Sequence, residues 1–195
     1  GVLSADEPFG SYALMFGIVL LMLGLAFKLS AVPSQMWVPD IYEGSPTPVA
    51  AFLSVASKAA GFAIVLRLIY AALPDPQVSM DTGNLFAVLA AVTMTVGNIA
   101  AIRQTNIKRL MGYSTIAQAG YIMVGIAAVA ASAEGGGSAS GGPQGVLFYL
   151  MGYGFTNLAV FFAIIAITNR TGNDMISGFA GMAKRSPLFA GLLTI

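Results

Sequence analysis

Two lysines stand where a charge is costly. Lys58 lies near the middle of a largely apolar run from Val49 to Leu73. A charge at the centre of a membrane-crossing helix costs about 2.5–3.5 kcal/mol on insertion scales, so it calls for a buried partner or a water-filled cavity. Its amine is also a group that can take up and release a proton. Ser54 comes one helical turn before it and Gly61 nearly one turn after, which puts a hydroxyl and a gap on the same helix face. Lys28 lies inside the run from Tyr12 to Asp40, which is longer than one straight crossing requires and contains Pro33 and Pro39. Each proline lacks an amide donor and clashes with the preceding turn, so the sequence predicts a helix broken just after Lys28. Unwound backbone at membrane depth is tolerated only beside a cavity or an ion path. Bland readings stand beside both. Lys28 could simply end its helix and snorkel to the headgroups, and Lys58 could be a structural cation whose acid partner lies outside the five apolar spans.

Polar side chains form stripes on the later helices. Thr95 and Asn98 are three apart; Ser114, Gln118 and Tyr121 follow i, i+4, i+7; Tyr149, Tyr153 and Asn157 follow i, i+4, i+8. Each set falls on one helix face. Taken singly, such stripes read as interhelical hydrogen bonds, worth only about 0.6 kcal/mol each on average. Aligned beside two buried lysines, Ser54, Ser114, Gln118, Tyr121, Tyr153 and Asn157 could instead line a hydrated track. Gly112, Gly120, Gly125, Gly152 and Gly154 read as close-packing positions.

The elements that carry these residues follow from composition. Of 195 residues, 57% are apolar and only 9% charged, against roughly 25% charged in a soluble domain. A single soluble core of this size could not hide that much apolar surface. The class is an all-α, polytopic membrane bundle. A bilayer core about 30 Å thick takes about 20 apolar residues of helix. The sequence supplies such runs at approximately Ser11–Val32, Val49–Leu73, Leu85–Ile102, Leu110–Ala131 and Val146–Thr168, with a sixth starting at Pro187. The chain reads as a single membrane domain. Gly1 in place of an initiator Met, and the apolar run that stops at Ile195, predict a piece of a longer protein.

Cysteine and histidine are both absent, which excludes disulfides, thiolate metal sites, thiol nucleophiles and imidazole bases. A net charge of +1 leaves no polybasic surface for nucleic acid. Arg103, Lys108 and Arg109 on one connection, and Arg170, Lys184 and Arg185 on another, share one side of the membrane; Asp6, Glu7, Asp75, Asp81 and Glu134 mark the other. The positive-inside rule makes the basic side cytoplasmic, and the segment around Asp40 and Glu43 falls on that side too. The Gly/Ser-rich stretch Ala133–Gly142 reads as a flexible outer loop and lacks the ending of a phosphate-binding loop. Met175, Ile176, Phe179 and Met182 are spaced for a short amphipathic helix along the cytoplasmic interface.

Read in order, the run FKLSAVPSQMWVPDIYEGSPTPVAAFLSVASKAAGF (Phe27–Phe62) closely resembles the antiporter-like subunit N family of NADH-quinone oxidoreductase, respiratory complex I. The runs GNIAAIRQTNIKRLMGYSTIAQAGYIMVG (Gly97–Gly125) and YLMGYGFTNLAVF (Tyr149–Phe161) resemble the same family further along. The resemblance covers nearly the whole chain. It implies a stretch from helix seven to the start of helix twelve of an antiporter-like fold of about fourteen helices. In that family the positions of Lys28 and Lys58 belong to a chain of ionisable groups along the membrane midplane that couples quinone reduction to proton translocation. A glutamate and a second lysine of the family's chain fall outside these residues.

Further expectations rest on the resemblance alone. The chain would be a translocase subunit without a redox centre, with NADH, FMN, iron–sulfur clusters and quinone on partner subunits. It would assemble with other membrane subunits of complex I as a hetero-oligomer in the lipid bilayer, most simply the bacterial inner membrane, and bind no nucleic acid. Two positions depart from the family's wording. Pro33-Ser34-Gln35-Met36-Trp37 stands where a PFHxW pattern is common, and Gln118 stands where a histidine is common. Glutamine holds water by hydrogen bonds but does not titrate near pH 7, so any proton route here uses waters or the tyrosines. Two rival functions remain: a subunit of a related cation/proton antiporter or membrane-bound hydrogenase, and a non-pumping structural subunit.

Overall fold

The structure, a computed structural model, describes residues 8–71, 76–132 and 141–194. Five segments are long and apolar enough to cross a membrane, and no strand occurs among the described residues. Asp6, Glu7, Asp75, Glu134 and most of the Gly/Ser stretch lie outside those residues. Gly141 and Gly142, read above as part of that loop, instead open a helix.

The first crossing is broken. Helix α1 runs Pro8–Leu29, a 3₁₀ turn occupies Ser34–Met36, and α2 covers Trp37–Gly44. The break begins at Ser30, whose φ of 64° is left-handed. The Ser30 amide donates to the Phe27 carbonyl at 3.1 Å and the Ala31 amide to Ala26 at 2.8 Å. This pairing is the Schellman closure of a helix end. Pro33 sits inside the break. Pro39 falls in the first turn of α2, where the missing amide has no helical partner to lose, so it starts the second half of the crossing. The Trp37 ring stacks on Phe27 at 5.4 Å and its indole N–H donates to the Phe27 carbonyl at 3.3 Å, tying the start of α2 to the end of α1.

The second crossing is continuous but irregular. Helix α3 (Thr47–Phe52) passes through a π-helical turn at Leu53–Ser57 into α4 (Lys58–Ala71). Single π turns within helices occur often at functional sites. This one ends at Lys58. Next come α5 (Pro76–Ile102), α6 (Ile107–Ser132) and α7 (Gly141–Thr171). Asn106 caps α6, its side-chain oxygen accepting the amides of Lys108 at 2.9 Å and Arg109 at 3.3 Å. Helix α6 is the central strut, with 56% of its apolar window buried against 22% for α5.

In lipid no hydrophobic drive pulls helices together, so close backbone approach carries the packing. A Cβ on Gly97 would lie 2.7 Å from the Ala117 amide nitrogen, and one on Gly120 would lie 2.7 Å from that of Met94. These two glycines let α5 and α6 touch along their backbones. A Cβ on Gly112 would likewise meet the Pro39 backbone, and ones on Gly125 and Gly154 would meet the Val146 and Val55 side chains, whereas Gly152 has nothing within 4 Å among the described residues.

Two apolar cores result. One gathers Leu29, Phe62, Val65, Phe86, Ile122, Ile126 and Val146. The other gathers Val38, Tyr42, Ala50, Ile116, Phe161 and Ile164. Along the second crossing the cores stop at Ala51 and resume at Phe62, and Ser54 and Lys58 fall in the gap between them.

The segment after α7 departs from the expected amphipathic helix. Met175 instead pairs with Asn106 in an isolated antiparallel bridge, followed by a 3₁₀ turn at Ile176–Phe179 and a single turn of α8 at Met182–Arg185. Gly181, with φ of 73°, separates the two turns. The Ile176 amide donates to Thr105 and the Ile107 amide to Asp174, so pairing with the α5–α6 connection overrides the helical spacing. Helix α9 (Pro187–Leu192) follows.

Candidate functional site

Lys58 is buried to 2% accessibility, and its Nζ donates to the carbonyl oxygen of Leu29 at 2.9 Å. The left-handed turn at Ser30 makes that carbonyl available. A Schellman closure satisfies the carbonyls two and three residues before the helix end and leaves the last ones free. The negative end of the α1 dipole points the same way and favours a cation there. Among the described residues no carboxylate pairs with Lys58; the ion pairs are Lys108–Asp174 at 3.0 Å and Arg109 with Asp40 and Glu43, both at 2.8 Å. These lie at one end of the bundle and join the two basic connections to each other and to α2.

Lys28 is the next-to-last residue of α1 and is exposed. Gly61 provides the room beside it. A Cβ there would come within 2.9 Å of Leu29 Cδ2 and 3.5 Å of Lys28 Cγ. The gap predicted one turn from Lys58 is therefore where the break packs on α4. Val32 anchors the other side of the break, its amide donating to Thr93 Oγ1 at 3.0 Å.

Beside the lysine, four helical segments converge on a buried polar cluster. Asn157 Nδ2 donates to Ser54 Oγ at 2.6 Å, and Ser54 Oγ donates to the Ala51 carbonyl at 2.7 Å. Tyr153 reaches the Ser54 carbonyl and Thr115 Oγ1, both at 3.3 Å. Tyr42, from the second half of the broken crossing, brings its hydroxyl to Thr115 and Ser54 and its ring to Phe161 at 6.3 Å. Ser54, Tyr153 and Asn157, singled out above, are thus one cluster. Tyr42 and Thr115 were missed: Tyr42 belongs to no stripe, and Thr115 sits next to Ser114 on α6 but points inward, while Ser114 is half-buried.

The remaining predicted positions lie further out. Tyr149 donates to Gln118 Oε1, and Asn98 Nδ2 donates to Tyr121 at 2.8 Å. Thr95 bonds back to Ala91 on its own helix. Gln118, Tyr149, Gly152 and Tyr153 share an open cavity of about 260 Å³, room for several waters at about 30 Å³ each. Tyr153 is the residue common to the cavity and the buried cluster. In the break, Gln35 Oε1 is buried with no hydrogen-bond partner among the described residues, a state that costs about 1–3 kcal/mol unless water meets it.

An amine held by a neutral carbonyl thus stands one turn from a buried set of hydroxyls and an amide, and one member of that set, Tyr153, also lines the open cavity. Among the described residues no group of His, Cys, Asp or Glu could hold a metal. Comparison with known proteins bears on what the geometry is for. Residues 3–195 match the family described as NADH:quinone oxidoreductase/Mrp antiporter, TM. The chain belongs to this family. The resemblance read from Phe27–Phe62 is borne out.

Within the NADH:quinone oxidoreductase/Mrp antiporter family, NADH-quinone oxidoreductase subunit N of Dehalococcoides mccartyi is 49% identical over 182 residues, covering 93% of this chain and 37% of that protein. A chain of respiratory complex I from Thermus thermophilus with bound aureothin is 33% identical with a TM-score of 0.63, over 96% of this chain and 38% of that one. A chain of the membrane-bound sulfane sulfur reductase, an archaeal respiratory membrane complex, is 26% identical with a TM-score of 0.75, over 91% and 34%. The chain thus spans just over a third of the length of the curated relatives it matches. With five apolar crossings and this family, it is an integral membrane protein.

Proposed function

We propose that the chain is a proton-translocating part of a membrane subunit of NADH-quinone oxidoreductase, with Lys58 the central proton carrier and Lys28 its neighbour across the break. One observation carries the reading: Lys58 is almost wholly buried, yet its hydrogen-bond partner is the neutral Leu29 carbonyl. An amine paired with a carboxylate is pinned as the cation; one held by a carbonyl at a helix break is not. Lys28, exposed at the end of α1, faces outward where further charged groups of the whole protein can bias it. Protons reach Lys58 from the cavity at Gln118 and Tyr149 through Tyr153, Ser54 and Asn157, with Tyr42 and Thr115 completing the cluster.

NADH oxidation and quinone reduction by the whole complex belong to this reading and are carried by the relatives' names; FMN and iron–sulfur clusters on partner subunits, assembly with other membrane subunits and residence in the bacterial inner membrane belong to it as well. A further reading, as a subunit of another respiratory membrane complex in place of the antiporter or hydrogenase considered above, draws on the higher TM-score to the sulfane sulfur reductase chain. The 49% identity to a subunit N, against 26%, favours NADH-quinone oxidoreductase.

The test is Lys58→Met in the full-length subunit within its assembled complex. In inverted membrane vesicles, NADH-driven quinone reduction and the proton gradient are recorded together after assembly is checked on a native gel. Assembled complex that loses both signals steeply, or loses gradient beyond turnover, is expected. An assembled variant with normal turnover and gradient would make Lys58 structural.

A further inference from the structure

At the basic end of the bundle, α7, α8 and α9 line a partly open cavity of about 280 Å³ that none of the proton chemistry uses. Its walls include Arg170 and Arg185, the hydroxyl residues Thr171 and Ser186, and the apolar side chains of Ile167 and Phe189. The charges are not distributed evenly at this end. Lys108 and Arg109 are engaged by Asp174, Asp40 and Glu43, while Arg170 and Arg185 make no ion pair among the described residues and are exposed. Two guanidiniums and two hydroxyls thus stand at the mouth of a pocket whose remaining wall is apolar. Its place is the end of a membrane crossing, since α7 supplies the apolar window Gly142–Thr171 and Arg170 is in its last turn.

We infer that this pocket binds the headgroup of an anionic glycerophospholipid, with the phosphate between Arg170 and Arg185 and the glycerol and upper acyl chain against Ile167 and Phe189. Guanidinium forks match phosphate oxygens in pairs. Basic pockets between membrane helices on the cytoplasmic side are the usual form of such sites. A zwitterionic headgroup brings its own ammonium into a doubly cationic mouth and is disfavoured. Free phosphate shares the anion chemistry but leaves the apolar wall uncovered, so the lipid is the better match. The notch at Arg103, lined by Val96, Ile99, Ala100 and Gln104, offers one cation and serves as an internal comparison.

The experiment uses the full-length protein in a neutral maltoside detergent, titrated with phosphatidylglycerol or phosphatidylcholine, with bound lipid counted by native mass spectrometry and thermal stabilisation measured in parallel. Phosphatidylglycerol is expected to bind and stabilise, and phosphatidylcholine to bind at least tenfold more weakly. Each arginine near the headgroup contributes about fivefold in affinity, so Arg170→Gln with Arg185→Gln lowers phosphatidylglycerol binding roughly 25-fold. Replacing both arginines with lysine preserves most of it, and Arg103→Gln leaves it unchanged. Should the doubly neutral variant not fold, Arg185→Gln alone gives the fivefold readout. Equal binding of the two lipids, or unchanged binding in the neutralised variant, overturns the inference. Displacement of the lipid by millimolar inorganic phosphate would make the pocket a site for soluble anions and overturn it as well.

Discussion

The Nζ of Lys58 and the carbonyl oxygen of Leu29 meet at 2.9 Å across the gap between two crossings, so a side chain of α4 closes the broken end of α1. The contact joins a titratable group to a backbone discontinuity. If Lys58 loses its proton, the amine offers the carbonyl a weaker, uncharged donor, and the helix end loses the cation that faced its dipole. Protonation at Lys58 and the conformation of Ser30–Met36 are then coupled, which is the form an electrostatic relay needs.

The left-handed turn at Ser30 makes the first prediction. A non-glycine residue in this region costs about 1–2 kcal/mol, and glycine adopts it freely. We expect Ser30→Gly to raise the melting temperature of the solubilised protein, by roughly 1 kcal/mol in stability, and to leave proton transfer intact. Ser30→Val should lower it by a similar amount, because a β-branched side chain fits the turn worst. Equal melting temperatures for the two variants would mean that the helix end is not closed as described.

How much of this was legible beforehand differs by scale. The apolar runs, the break after Lys28 and the isolation of Lys58 could be read because prolines and charges in apolar surroundings are strong local signals. What Lys58 touches could not be read. Its partner is a backbone carbonyl, which every residue has, exposed by a dihedral angle at Ser30 that no residue type announces. The π turn at Leu53–Ser57 is equally silent, although it aims Ser54 at Asn157. Stripe logic found Tyr153 and Asn157 and rightly put Gln118 in their neighbourhood, since Gln118 and Tyr153 line one cavity, but it could not tell which neighbour Tyr121 and Ser114 would meet, since one helix face can serve several. Asn98 takes Tyr121, Tyr149 takes Gln118, and the inward-facing Thr115 replaces Ser114. For Asp174–Ser186 the spacing misled, because Thr105 and Asn106 supply backbone partners that local periodicity does not reveal.

Glycines on different faces give a second prediction. A side chain at Gly97 meets the backbone nitrogen of Ala117 at 2.7 Å, and backbone cannot step aside as a flexible side chain can. Gly97→Val should therefore force α5 from α6 and destabilise the protein by about 1–3 kcal/mol, the usual range for overpacking. Gly24, on α1, has nothing within 4 Å among the described residues. Gly24→Ala should be neutral or stabilising by about 0.5–1 kcal/mol, because alanine restricts the unfolded chain. Thermal unfolding followed by circular dichroism in detergent separates the two. A stable Gly97→Val would mean that the α5–α6 contact is looser than the backbone approach described.

The third prediction concerns the passage between cavity and cluster. Tyr153 lines the cavity with Gln118 and Tyr149 and also reaches Ser54 and Thr115, so the proposed route passes through its hydroxyl. Phenylalanine keeps the ring and deletes that hydroxyl. Hydrogen bonds between membrane helices average about 0.6 kcal/mol and reach about 1.7, so Tyr153→Phe should remain folded and assembled. If protons pass through Tyr153, losing a positioned proton-transfer group should lower proton-coupled turnover about tenfold or more, within what such groups contribute elsewhere. Tyr149→Phe removes a hydroxyl from the cavity wall alone, where water can take its place, and should cost little. Ser54→Ala combined with Asn157→Leu tests the inner step in a double-mutant cycle. The two changes should be strongly non-additive in proton yield, because each already breaks the 2.6 Å contact between them. The readout in each case is gradient formation against NADH oxidation in inverted vesicles, with assembly held equal. Normal coupling in Tyr153→Phe would exclude this residue from the route and leave Lys58 to be supplied from the side of the bundle that Lys28 faces.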